Sequence, residues 1–302
     1  MPEKTNLTVN GVTLQLSNLT KLYYPAAGFT KTQVIDYYIR VAPYLLPHLH
    51  NRPLTLKRYP QGASSPFFYQ KECPAHRPAW LRTAPVWSEK NRRHVNFCLV
   101  EDLPSLVWAV NLAALELHTS LSLASAIAVP TTLVFDLDPG PPAGILDCCQ
   151  VALWLQDIFT SYHLQSFPKT SGSKGLQIYV PLNSPVSYSQ TKRFANTLAH
   201  LLETRYPLAV ISNMRKNLRT GKVFVDWSQN DSHKTTVCVY SLRAREQPTV
   251  STPLTWQEIE SAWQTKAKDR LTFTAPQVLE RLQQYGDLFA PLLTLQQSLP
   301  AV

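Results

Sequence analysis

The chain has 302 residues, 44% of them hydrophobic and 10% aromatic, which is enough to bury one large core or two modest ones and excludes a disordered tail. Its formal net charge is +9, with 13 Lys/Arg against 7 Asp/Glu in residues 1–130 and 16 against 13 in the remainder; a basic first half suits a polyanionic partner. Five scattered cysteines show no zinc-type spacing and no disulfide framework and read as reduced thiols, and neither a signal core nor a run of about 18 apolar residues is present, so a soluble cytoplasmic protein without membrane contact is expected.

From the N-terminus, Val9-Asn10-Gly11-Val12 predicts a tight hairpin. Thr30 or Thr32 caps a predicted helix in which Val34, Tyr38, Val41 and Leu45 recur at helical spacing, and Pro43 should kink it or end it early. Lys21 and Lys31 flank this unit. Residues 52–60 read as a strand carrying Lys57 and Arg58, followed by a Ser- and Pro-rich loop that places Phe67, Phe68 and Tyr69 among basic neighbours. Aromatics interleaved with cations suit a stacking platform for bases, and core packing is the competing account. Residues 104–118 read as one helix, with Asp102 as its cap, Pro104 in its first turn and His118 at its end.

The stretch 131–140, TTLVFDLDPG, predicts a buried strand stopped by an Asp-Pro-Gly turn. Side chains alternate along a strand, so Asp136 and Asp138 share a face. Two carboxylates in one small volume favour a divalent cation, and a solvated turn is the bland alternative. A helix then leads into strand, loop and strand across SFPKTSGSKGLQIYVPL. In that loop, glycines permit close backbone approach while Ser171, Ser173 and Lys174 offer donors to phosphates, although a plain hairpin loop has the same composition. After a further helix, Arg215, Lys216, Arg219 and Lys222 precede a strand at 223–227, where Asp226 is either a third metal carboxylate or a strand-end acid. Strand character continues beyond residue 235, where Arg243 and Arg245 share a face, and helices close the chain. No internal repeat or long linker interrupts it. The chain therefore reads as a single domain over 1–302, with a basic subregion at 1–130, a core at 131–250 that carries the acidic strands, and C-terminal helices at 251–302.

Taken together, these stretches resemble one family, the polymerase domain of bacterial DNA ligase D within the archaeo-eukaryotic primase superfamily. The agreement runs collinearly over residues 19–256 through LTKLYYP, FTKTQVIDYY, RPLTLKRYP, ELH, LVFDLDPG, KTSGSKGLQIYVPL, KVFVDWSQN and YSLRAREQPTVSTPL. The resemblance implies an α+β fold of primase-polymerase type, with mixed sheets, flanking helices and a catalytic cleft between them. It implies catalytic Asp136, Asp138 and Asp226 holding two Mn²⁺ or Mg²⁺ ions. By the same resemblance, His118, Ser171, Lys174, Gln177, Arg243 and Arg245 bind the incoming nucleotide. Lys21 and Lys31 match lysines that hold a 5′-phosphate, Lys57 matches a further nucleic-acid contact, and Phe67 and Phe68 match residues stacked on the template. The implied activity is template-directed nucleotide addition, with ribonucleotides preferred, at DNA ends and gaps during non-homologous end joining. Ku and an ATP-dependent ligase are the implied partners in trans; no ligase module follows Val302, so a stand-alone polymerase or an excised domain is expected. Alternatives are a primase that starts chains unaided and a non-catalytic end-binding module. The family motif SGSKGLH is SGSKGLQ here, which puts Gln177 in place of a histidine and predicts a weaker hold on the triphosphate.

Overall fold

A computed structural model describes residues 4–300. Strands β1 (Lys4–Val9) and β2 (Val12–Ser17) form the expected hairpin. Asn10 and Gly11 both take positive φ, 47° and 79°, the geometry a two-residue turn needs to match strand twist. The short strands β3 (Leu22–Tyr24) and β4 (Phe29–Thr30) pair ahead of α1 (Lys31–Leu49). Thr30 caps α1 in a capping box with Gln33, and the helix runs through Pro43 and Pro47 to Leu49 rather than ending early. Burial of Val34, Tyr38, Val41, Leu45 and Leu49 along one face offsets the hydrogen bonds that the prolines delete.

Next come β5 (Leu54–Arg58), β6 (Phe68–Gln70), β7 (Thr83–Ser88), β8 (Arg93–Cys98), α2 (Leu103–Asn111) and β9 (Ala114–Thr119). Two sequence expectations change here. Phe68 and Tyr69 lie on a three-residue strand, β6, paired with β5, not in a loop. The helix expected over 104–118 ends at Asn111. Ala113 takes φ 68°, which an α-helix cannot continue through, and 114–119 becomes a strand between β5 and the later β15. Asp102 does cap α2, accepting from Ser105 N at 2.8 Å. Alternation places Glu116 and His118 on one face of β9 and Leu115 and Leu117 on the other.

The chain continues with β10 (Thr132–Pro139), α3 (Ile145–Ser161), β11 (Phe167–Thr170), β12 (Leu176–Pro181), α4 (Tyr188–Arg205), β13 (Val210–Ile211), β14 (Val223–Asp226) and β15 (Thr236–Val237). The strand expected through 243–245 is absent; that segment has no regular structure, with Leu242–Val250 and Thr249–Thr274 bridges nearby. Helices α5 (Trp256–Thr265), α6 (Ala275–Tyr285) and α7 (Pro291–Thr294) follow. Among the described residues no helix is long and apolar enough to cross a membrane.

Two compact units, each discontinuous in sequence, make up the described chain. One runs to Ser120 and takes in Thr235–Val250 and Thr274–Gly286. Its main sheet has the order β15-β9-β5-β8-β7, with β6 added to β5. The other holds Leu121–Lys234, Ser251–Phe273 and the chain from Asp287 onward, around a sheet ordered β11-β12-β10-β14-β13. Leu133, Phe135 and Leu137 of β10 point into its core with Cys149, Leu155 and Phe159 of α3 and Leu198 of α4. The opposite face of β10 carries Thr132 and Val134, and then Asp136 and Asp138 toward its end. One cysteine expectation is corrected: Cys73 and Cys98 are joined by a disulfide, with Cα atoms 5.0 Å apart. Their separation of 25 residues carries no signature in sequence, because β7 and β8 fold back to bring them together.

Candidate active site

In the second unit, the antiparallel register of β10 and β14 sets Asp136 directly opposite Asp226 and Asp138 opposite Phe224. Paired residues and residues two apart share a face, so all three aspartates project from one side of the sheet. Asp136 is surrounded. Burial first, and then the charge of Asp226, pushes its carboxyl up to about 6, against the lowering effect of a hydrogen bond from Gln177. Asp226 accepts from Ser228 N at 2.9 Å and from Gln229 Nε2 at 3.1 Å. Asp138 lies 3.5 Å from the Arg219 guanidinium. Arg219 is delivered there by backbone contact: a Cβ on Gly140 would meet the Arg219 carbonyl oxygen at 2.0 Å, so only glycine permits the approach.

This set fits a hard divalent cation by the chemistry of its donors, which are all oxygen. In the facing pair Asp136 and Asp226, one carboxyl is raised by burial first and by the second anion next, and a bound cation relieves both costs. Among the described residues no group of three or more His, Cys, Asp or Glu side chains is gathered to hold a metal ion. Asp138 would have to exchange Arg219 for the ion to complete a triad.

The TSGSKG loop joins β11 to β12 at the same place. A Cβ on Gly175 would lie 1.9 Å from the Leu137 carbonyl oxygen, so the glycine lets the loop close onto β10 between the two aspartates. Ser171 Oγ accepts from the backbone N–H groups of Ser173 and Gly175, each at 3.2 Å, and the buried serine organises the loop. Lys174 is exposed. Gln177, paired with Asp136 across the strands, donates through Nε2 to Asp136 at 3.1 Å while its Oε1 accepts from Lys169 Nζ at 2.7 Å. Both ends of the amide are therefore used inside the unit. Lys169, fully buried and also bonded to Ser251 Oγ at 2.5 Å, was not singled out by its sequence context. Gln177→Leu should strip this ammonium of one acceptor and cost about 1–3 kcal/mol of stability; urea denaturation with an unchanged midpoint would dismiss the bridge.

In the first unit, a different cluster forms around Glu116. Its carboxylate, buried within β9, accepts from His118 Nε2 at 3.0 Å, Tyr59 Oη at 2.9 Å, Lys57 Nζ at 3.2 Å and the backbone N–H of Ala244 at 3.2 Å, and lies 3.2 Å from Arg243 Nε. Burial alone would raise its pKa, but the His118 hydrogen bond and the charges of Arg243 and Lys57 outweigh it and hold the carboxyl well below its usual range. Burial lowers His118, against the raising effect of Glu116. The structure thus gathers His118, Lys57 and Arg243 on one acid, and Glu116 is the residue at their centre that sequence reading missed, visible beforehand only as the first letter of ELH. Arg245 is exposed and outside the cluster.

The aromatic residues beside this cluster remain open to solvent: Phe67, Phe68 and Tyr69 are 49%, 46% and 56% exposed. Core packing is thereby set aside for them. Lys57 Nζ lies 4.1 Å from the Phe67 ring centre and the Arg58 guanidinium 5.1 Å from that of Phe68, so the platform is bordered by cations. Lys21 reaches Pro60 O and Gln61 Oε1, both at 2.6 Å. Lys31 is buried, and its ammonium donates to Ser17 O, Asn111 O and Asn111 Oδ1, each at 2.7 Å. Burial, with the nearby charges of Lys21 and Arg58, lowers it to about 8. Lys31 is therefore a tie between β2, α1 and α2 as well as a member of a cationic cluster.

A family model described as LigD, primase-polymerase domain, matches residues 30–289. The multifunctional non-homologous end joining protein LigD of Mycolicibacterium smegmatis is 39% identical over 281 residues, covering 92% of this chain and 36% of that protein. The bifunctional non-homologous end joining protein LigD of Bacillus subtilis is 34% identical over 275 residues, covering 90% and 43%. The solved polymerase domain from Mycobacterium tuberculosis ligase D in complex with DNA has a TM-score of 0.85 at 37% identity, over 94% of this chain and 99% of that one. The mixed helices and sheets expected from sequence are those of that domain. The chain spans less than half the length of either curated relative.

Proposed function

Because the chain belongs to the LigD primase-polymerase family, we propose that it is a template-directed nucleotidyltransferase. It adds nucleotides, ribonucleotides in preference, to DNA ends and gaps in bacterial-type non-homologous end joining. The observation that carries this reading is the register that faces Asp136 with Asp226, with Asp138 on the same side and the Ser171 loop seated against Leu137 between the two β10 acids. Asp136, Asp138 and Asp226 would hold Mn²⁺ or Mg²⁺, which when bound supplies activation of a primer 3′-hydroxyl and charge neutralisation at the leaving pyrophosphate. The chain's own side chains do the positioning. Lys174 presents an exposed positive charge to phosphates, and the backbone N–H groups ordered by Ser171 fix the loop that would cradle them. His118, held by Glu116, acts as a hydrogen-bonding group at the sugar. Arg243 brings charge to the phosphates from the same acid, with Arg245 beside it, and Gln177 serves the site through Asp136.

On the nucleic-acid side, Phe67 and Phe68 stack on template bases while Lys57 borders them. Lys21 and Lys31 receive a 5′-phosphate, Lys31 by exchanging one of its internal acceptors for it. The relatives are named for end joining, and Ku and an ATP-dependent ligase are the partners proposed with that role.

Extension of a primer across a gapped duplex bearing a 5′-phosphate, with ribo- and deoxyribonucleoside triphosphates compared in Mn²⁺ and in Mg²⁺, tests the proposal. Template-dependent product is expected with a primer and none without one; product on primer-free single strands would favour a primase, and no product with either metal would favour an end-binding module. In the same assay Ser171→Ala should narrow the ratio of catalytic efficiencies between ribo- and deoxyribonucleotides, since a site built to bond a hydroxyl discriminates against its absence. An unchanged ratio would place sugar selection elsewhere. Lys21→Ala should erase the affinity advantage of 5′-phosphorylated over 5′-hydroxyl gaps at fixed salt. Retention of that advantage would make Lys21 an ordinary surface charge.

A further inference from the structure

The Cys73–Cys98 bridge has no part in the chemistry above, yet it sits beside the aromatic platform. Strand β6, which carries Phe68 and Tyr69, is three residues long and is bonded only to β5. Four residues after Tyr69 comes Cys73, at the start of a stretch, residues 71–82, without helix or strand. Cys98 is the last residue of β8, where it faces Leu54 of β5 and Thr83 of β7. The bridge therefore pins the exit of the platform to the middle of the sheet. Besides the bridge, the segment meets β8 where Cys73 N donates to Asn96 O at 2.7 Å and where the exposed side chains of Glu72 and Arg93 form a bidentate pair, which salt screens.

The remaining cysteines, Cys148, Cys149 and Cys238, are buried, and burial pushes the Cys148 and Cys149 thiols up, the latter to about 12. They are poor nucleophiles. Cys73 is the least buried of the five, and it has a resolving partner already in place.

We propose that Cys73 and Cys98 form a reversible thiol–disulfide site that fastens the platform of Phe67, Phe68 and Tyr69, so that the grip on single-stranded nucleic acid follows the redox state of the pair. The coupling rests on the stacking role given to that platform above. Oxidation uses a low-molecular-weight disulfide. The Cys73 thiolate attacks one of its sulfurs and expels the first thiolate; Cys98, deprotonated, then attacks the Cys73 sulfur of the mixed disulfide and expels the second. Two protein thiols and one small disulfide become one protein disulfide and two small thiols, with two electrons passing to the small molecule.

The test uses the full chain equilibrated with oxidised or reduced glutathione. Thiol titration in denaturant should find three thiols in the oxidised sample and five in the reduced one, and the oxidised sample should melt roughly 5 °C or more higher, as expected for closing a loop of this length. Fluorescence anisotropy with a labelled single-stranded oligonucleotide should show affinity higher by roughly five-fold or more in the oxidised state, a fraction of one base-stacking interaction. Cys73→Ser should abolish that redox dependence. Five thiols after oxidation would overturn the site itself, and the wild-type arms decide this even if the variant fails to fold. Three thiols with equal affinity in both states would overturn the coupling. Failure of the stacking reading is seen separately, as Phe67→Ala and Phe68→Ala variants that bind the oligonucleotide as tightly as the wild type at fixed redox state.

Discussion

Alanine at Asp136, Asp138 or Asp226 is expected to lower nucleotide addition by roughly 10³-fold or more while leaving binding to DNA ends largely intact. The three carboxylates are a unit set by one strand register, with Asp136 facing Asp226. Removing any one leaves too few anionic oxygens for the cations of the proposed chemistry. A second readout does not depend on turnover. Asp136 faces Asp226 across the strands, so Mn²⁺ held by the pair should raise the melting temperature of the wild-type protein by binding only the folded state. Asp136→Asn should remove that shift. Asp138→Ala is the informative member of the set, because Asp138 is paired with Arg219. If its loss costs little activity, the guanidinium contact is structural and the metal chemistry rests on the other two. Near wild-type turnover in any variant would take that residue out of the site.

Glu116→Ala should be among the most destabilising single substitutions in the first unit, at about 3–5 kcal/mol, because it leaves enclosed cations without their anion. Lys57 and Arg243 are mostly buried, and each lies 3.2 Å from a Glu116 oxygen. The pH dependence follows from the depressed carboxyl. Its unfolded value is about 4.5 and its folded value lies well below that, so the unfolded chain binds the proton more readily. The contribution of Glu116 is fully present above about 4.5 and is lost as the pH falls from there through the folded value. The stability gap between wild type and Glu116→Gln should therefore be widest near neutral pH and should narrow on acidification below 4.5. Denaturant unfolding at pH 7 and pH 4 measures it directly, and a gap that stays constant would mean that the acid contributes packing rather than charge. Since the same carboxylate holds His118 and Arg243, Glu116→Gln should also raise the KM for nucleotide more than it lowers kcat, provided those two residues contact the substrate.

Local sequence determined the elements whose cause is local. The Asn10-Gly11 turn, the Thr30 and Asp102 caps, the strand ending in Asp-Pro-Gly and the common face of Asp136 and Asp138 all follow from backbone preference and alternation over a few residues. Collinear motifs carried the family. The end of α2 was not legible, because an apolar helix and an apolar strand share the composition of residues 112–119, and only pairing with β5 and β15 turns them into a strand. Lys31 reads as a surface cation in sequence; three carbonyl oxygens, two of them 80 residues distant in number or held on Asn111, make it a buried tie. Lys169 and Gln177 meet Asp136 only through the β11-β12-β10 register. Glu116 acquires its role when Lys57, Tyr59, Arg243 and Ala244 converge on it from separated segments, and Cys73 finds Cys98 because an intervening hairpin folds back. Periodicity reports which face of an element a residue occupies. Which other element that face meets is decided by long-range pairing, and the charge state and partners of a buried side chain are decided with it.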